Sequence, residues 1–347
     1  MKNQFFLLAV FFLILGANVN AQPFQSVTID TLLMDKISVR AIVVTDGKVY
    51  FAGDKSRVGY VLFPKDDSRI NAEIVSDTLV YEYRSLATNG KNFFALSIGN
   101  PARLYKFSKD LAHRTLVYQE NHEKVFYDSM QFWNEMEGMA IGDPTADCFS
   151  IIITRDGGQT WQKLSCEVLP KLADGEAAFA ASNTNLILKG NHAWIVSGGK
   201  KARVFHSADK GISWEVFETP IVQGESMTGI FTADFYNEKI GFIAGGNYEK
   251  PMQNYQNKAI TTDGGKTWKL VAENQGFGYA SCVQFVPNSG AKSLVAVGAQ
   301  GLFYSSDGGE SWQQFLTDTT LYTIRFLDSD TALASGKDKI VKIEFKK

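Results

Sequence analysis

The chain has 347 residues and balances 35 Lys and Arg against 37 Asp and Glu, a formal net charge of −2 at pH 7. That balance argues against a nucleic-acid partner, which calls for a strongly basic face, and gives no general reason to bind anionic lipid. Three cysteines are too few for a disulfide-built scaffold.

Lys2, the apolar run at 5–17, a short polar stretch and Ala21 together predict a signal peptide over residues 1–21, cleaved near Ala21. A retained N-terminal anchor is the alternative. The apolar run falls short of the roughly 20 residues that span a bilayer, no Cys follows it as in a bacterial lipoprotein, and no later run is long enough. The expectation is a secreted or periplasmic mature protein, 22–347, with no membrane span.

Strand-like runs then alternate with turns to the end of the chain. After "QSVTIDTLL" (25–33), units begin near Arg40, Arg84, Asp128, Ala178, Phe231, Ser281 and Tyr322, and convincing amphipathic helices are absent. Cys148 and Cys166 flank the motif of the third unit; they are either a disulfide or two partly buried thiols. Cys282 reads as a small buried hydrophobe.

The motif in question is "TRDGGQTW" (154–161), and it recurs as "SADKGISW" (207–214), "TTDGGKTW" (261–268) and "SSDGGESW" (305–312). Its aspartates, Asp156, Asp209, Asp263 and Asp307, are 53, 54 and 44 residues apart, and Trp161, Trp214, Trp268 and Trp312 close the four copies. A catalytic acid is not normally supplied four times at regular spacing, whereas a turn is. Asp accepts backbone N–H bonds from the residues ahead of it, Gly permits positive φ, and Trp buries a large surface between units. These eight residues are therefore assigned structural roles. Repeats of about 40–50 residues with four short strands each predict an all-β, seven-bladed β-propeller. The last unit lacks an outer strand, which 25–33 supplies, so the termini join in one blade and close the ring.

The motif and its spacing resemble the Asp box of the bacterial neuraminidase repeat, found in sialidases and in many propellers that are not sialidases. Through "FYDSMQFWNEMEGMAIGDP" (126–144), "GEAAFAASNTNLIL" (175–188), "ARVFHSADKGISW" (202–214) and "TTDGGKTW" (261–268), essentially the whole mature chain also resembles the photosystem II stability/assembly factor-like propellers. That resemblance implies a seven-bladed propeller and, by analogy only, an assembly role.

In such a propeller the Asp boxes lie on one face. The opposite face gathers the starts of the inner strands and the loops 143–149 and 246–258. The second loop, with Tyr248, Met252 and Tyr255, is either a partner surface or a solvated loop. Arg40, Arg84, Asp128, Asp143, Glu176, Arg203, Glu225, Tyr279 and Tyr322 are the candidate pore-face residues. They form either a carboxylate grip or a set of mutual salt bridges. A sialidase-like site would cast Arg40, Arg84, and Arg203 or Arg325 as carboxylate clamps. Tyr279 or Tyr322 would be the nucleophile, Glu225 its partner and Asp143 the acid/base. The Arg-Ile/Leu-Pro signature is missing from "VRAIV" (39–43). There is no dinucleotide fingerprint, phosphate loop or nucleophile elbow, and the four His fall in no metal-ligand spacing. The expectation is a monomeric, non-catalytic scaffold for an exported or membrane protein client, with no cofactor or metal. A glycan-binding or glycoside-hydrolysing propeller is the alternative.

Overall fold

A computed structural model describes residues 22–63, 70–74 and 80–347; the signal peptide expected over 1–21 lies outside them. The described residues are all-β, built of antiparallel strands. Several strands are buried along their whole length, as in Gly138–Gly142, Ser150–Thr154 and Leu294–Gly298. The reason is that each sheet is packed on both faces by its neighbours. One core cluster, for example, joins Phe94 and Leu104 of one sheet to Met130, Ala140, Ile152 and Trp161 of the next.

The number of sheets corrects the seven-bladed expectation: the described strands form six hydrogen-bonded sheets. The count falls to six because of one shared strand, and pairing departs from the expectation at a second place without changing the count. Ser26–Thr45 is a single 20-residue strand. Its first half pairs with Thr331–Lys346, from Ser26 opposite Lys346 to Ser38 opposite Lys337. Its second half pairs with Lys48–Gly53. The terminal strands and the first repeat are thus one six-stranded sheet that closes the ring.

The second place is the fourth repeat. The inner strand expected from Ala178 forms no ladder over 178–185, and regular pairing starts at Leu186–Lys189. Glu176–Ala177 and Gly198–Gly199 instead join the sheet of Thr228–Phe235.

The displaced segment crosses the central channel. Asn183 donates to the Leu86 carbonyl (2.9 Å) and accepts from the Met130 N–H (2.9 Å). Ser182 donates to the Ser281 carbonyl, while its own carbonyl accepts from Thr323 Oγ1 (3.2 Å) and Arg325 Nη2 (3.1 Å). The Thr184 and Thr232 hydroxyls share a hydrogen bond of 2.8 Å. Small side chains at Ala180, Ala181 and Ser182 let the backbone pass, and polar ones answer the polar groups that face the channel.

Candidate functional site

Six inner strands carry a β-bulge at equivalent places. Pairing skips one residue between Val39 and Ala41, Tyr83 and Ser85, Tyr127 and Ser129, Ile230 and Thr232, Ala280 and Cys282, and Leu321 and Thr323. The skipped residues are Arg40, Arg84, Asp128, Phe231, Ser281 and Tyr322. A bulge re-aims its extra residue out of the regular alternation, and glycines opposite make room for it. A Cβ on Gly142, Gly245, Gly298 or Gly336 would lie within 2.3 Å of a backbone carbonyl at the strand start.

Arg40, Ser281 and Tyr322 line a pocket of about 310 Å³ at this mouth, together with Tyr248, Pro251 and Tyr279. The Arg40 guanidinium carbon sits 4.3 Å from the Tyr322 ring centroid. Its Nη1 donates to the Ala181 carbonyl of the crossing segment (3.1 Å), and its Nε, buried, has no hydrogen-bond partner. Among the described residues no carboxylate lies within ion-pair distance of Arg40. Burial, and secondarily the charge of Arg84, lowers its pKa below the ordinary value for arginine. The wall behind is aromatic: Phe179 stacks on Phe231 (3.9 Å between centroids), and Tyr279 meets Phe231 and Tyr248 edge-to-face at 4.8 and 5.2 Å. Burial pushes the Tyr279 phenol up. Ala181 packs against Phe231 and Tyr279 and backs the pocket. A larger cleft of about 390 Å³ lies at the rim beside Pro23, Pro287 and Tyr304, away from the channel.

The remaining candidates fall into other arrangements. Arg84 Nε is bound to Glu82 (2.7 Å). Asp128 is fully buried, and neither carboxylate oxygen has a hydrogen-bond partner; burial, then the charge of Asp143, drives its pKa well up. Asp143 accepts from the Ala178 N–H (3.0 Å) and is pushed up to about 6 by burial. Glu176 is buried against Arg203, which donates from Nε (3.0 Å) and Nη2, and also accepts from Ser197 Oγ (2.6 Å) and the Ala173 N–H (2.9 Å). That pair is internally satisfied and leaves no free charge for a ligand. Glu225 is exposed at the rim, bonded to Asn247 Nδ2 (2.9 Å) and 3.3 Å from Lys250 Nζ. Arg325 points to the far side of the crossing segment, bonded to Thr323, Ile324 and Ser182.

The structure therefore brings Arg40, Tyr279 and Tyr322 together with Tyr248 and separates them from the Glu176–Arg203 pair. Glu82 and the crossing segment 179–185 escaped sequence reasoning. The available signal for the segment was the run "AASNTN" (180–185), too small and polar for a buried strand.

The Asp boxes hold their turns in one way throughout. Asp209, for instance, accepts from Ser207 Oγ (2.8 Å), the Ile212 and Ser213 N–H groups (3.1 and 2.8 Å) and Ser213 Oγ (2.6 Å). The Trp214, Trp268 and Trp312 indoles donate back to the carbonyls of Gly211, Gly265 and Gly309. Trp161 Nε1 finds no partner. Asp156, Asp263 and Asp307 are bonded as Asp209 is, each by the hydroxyls two residues before and four after it. Cys148 and Cys166 are disulfide-bonded, with Cα atoms 5.6 Å apart. With Asp147 they are the one His/Cys/carboxylate group of metal-site spacing among the described residues, and their sulfurs are committed to each other. Cys282 is buried and free.

Three segments, 152–163, 259–270 and 303–314, match the BNR/Asp-box repeat. No curated protein sequence matches the chain significantly. Among solved structures the chain is similar to "YCF48 bound to D1 peptide", at 14% identity over 94% of this chain and 97% of that one, with a TM-score of 0.66. It is similar to the WD40 repeats of RRP9 at 11% identity over 93% of this chain and 100% of that one, with a TM-score of 0.67. It also resembles the GH74 xyloglucanase from Xanthomonas campestris, at 13% identity and a TM-score of 0.61, covering 92% of this chain and 53% of that one. The chain thus spans about half the length of the xyloglucanase. At these identities the likeness carries the propeller fold, with Asp-box repeats, and nothing further.

Proposed function

We propose that this chain is a non-catalytic, exported propeller that binds a partner polypeptide by taking its C-terminal carboxylate on Arg40. The observation that carries the reading is the guanidinium itself. A half-buried charge is costly unless it is paired, and Arg40 has one carbonyl, one aromatic face and no carboxylate. An incoming carboxylate supplies the missing acceptor, and a charge-assisted bond of that kind is among the stronger ones. The crossing segment blocks the channel behind Arg40, so a chain that enters the pocket has to end there. A peptide-bound propeller of similar fold agrees with a polypeptide ligand, and the resemblance to assembly factors supports a role in handling an exported or membrane protein client. Among the described residues no helix is long and apolar enough to cross a membrane.

Fluorescence anisotropy with an N-terminally labelled octapeptide ending in Leu-Phe tests this reading, with the peptide supplied as the free acid and as the amide. Wild type is expected to prefer the acid, and Arg40→Met to bind it about 10- to 100-fold more weakly. Equal affinity for acid and amide in wild type would overturn the proposal.

A further inference from the structure

The pocket continues outward into an exposed apolar patch. Tyr248 and Pro251 line the pocket. Tyr248 is 50% exposed, and Met252, next in the chain to Pro251, is 68% exposed. Exposed side chains of this size on a loose loop would mean little, but this loop is held at several points. The Tyr248 N–H donates to the Met227 carbonyl (3.0 Å), and the Tyr279 N–H donates to the Pro251 carbonyl (2.9 Å). Asn247 Oδ1 accepts from the N–H groups of Glu249 and Lys250 (2.9 and 3.1 Å). At the loop's far end the Asn257 amide and the fully buried Lys258 ammonium donate to the Phe277 carbonyl (2.9 and 3.0 Å). Even Gly278 is shaped to the loop: a Cβ there would meet the Pro251 carbonyl oxygen at 2.1 Å. The apolar side chains are thus presented on a fixed frame, continuous with the pocket that holds Arg40, and a preordered surface loses little freedom on binding.

Resting on the carboxylate reading above, we infer that the captured chain end carries bulky apolar side chains in its last two residues, received by Tyr248, Pro251 and Met252. Arg40 would then supply affinity for the terminus itself, and the loop would supply selectivity among termini. Burying one aliphatic or aromatic side chain here is expected to shift affinity about tenfold or more.

The test compares two labelled octapeptides of Gly and Ser, one ending in Leu-Phe and one in Ser-Ser, each as free acid and amide. They are titrated against wild type and against the double variant Tyr248→Ser/Met252→Ser. Both residues are exposed, so the variant should keep its fold, which thermal unfolding monitors. Wild type should bind the Leu-Phe acid at least about tenfold more tightly than the Ser-Ser acid. The double variant should bind the two acids within about twofold of each other while still preferring acid over amide. If wild type prefers acid over amide but does not distinguish the two acids, or if the double variant discriminates as wild type does, the loop inference fails and the Arg40 reading stands. If wild type shows no preference for the acid, both fail.

Discussion

Replacing Asp209 by Asn isolates the charge of one Asp box while keeping its shape. The box at 207–214 is the informative one, because it lies outside the three segments that match the repeat family. Four donors converge on the carboxylate, and they hold its pKa down at about 2, the Ser213 hydroxyl and backbone bonds contributing most. Against an unfolded value of about 3.9, full linkage would give roughly 2.6 kcal/mol of stability at neutral pH. The turn is partly exposed, so solvent screening reduces that to about 1–2 kcal/mol. The sign follows from a depressed carboxylate: the contribution is complete above the unfolded pKa and is lost as pH falls through the folded one. Urea unfolding of wild type and Asp209→Asn should therefore differ by about 1–2 kcal/mol at pH 7 and by about half as much at pH 3. A difference that stays constant between the two pH values would refute the assignment of this stability to the charged turn.

Two further perturbations probe packing and burial. Gly157 and Gly158 share nearly the same positive φ, 76° and 78°, but differ in their surroundings. A Cβ at 158 would lie 2.3 Å from Phe94 Cε1, and one at 157 no nearer than 3.2 Å to any neighbour. Gly158→Ala should cost about 2–4 kcal/mol and Gly157→Ala about 1–2 by urea unfolding; equal costs would contradict the packing argument. His206 is buried, shares a 2.8 Å hydrogen bond with His192 and stacks on Trp194. Burial, then the neighbouring His192, lowers its pKa to about 4. Because the unfolded chain binds this proton more tightly, stability should fall by up to about 3 kcal/mol as pH drops from about 6.5 to 4, and no further below that. His206→Phe should flatten the slope in that window, and an unchanged slope would refute the assignment.

The Asp boxes were legible because their chemistry is local: Asp, Gly and a hydroxyl within eight residues specify a turn whatever surrounds it. The unit starts near Arg40, Arg84, Asp128, Phe231, Ser281 and Tyr322 were also legible, and the bulges fall on those six residues. The count of sheets was not. A repeat period does not say whether two units share one continuous strand, as Ser26–Thr45 does. The strand start expected near Ala178 was not legible either, because 179–185 meets polar groups of several sheets across the channel instead of pairing as an inner strand. Side-chain pairing was equally hidden. Glu176 and Arg203 are 27 residues apart, and only the register of the sheets shows that they bind each other and leave Arg40 without an acid.

The most direct measurement is the NMR resonance of the Arg40 Nε–H, assigned by comparison with Arg40→Lys, during titration with the Leu-Phe octapeptide. That group has no acceptor in the free protein. Bound to a carboxylate it should move downfield and become protected from exchange with water, and the amide peptide should leave it where it was. If the acid peptide binds and the Arg40 Nε–H does not respond, the partner's carboxylate does not sit on Arg40 and the central claim is wrong.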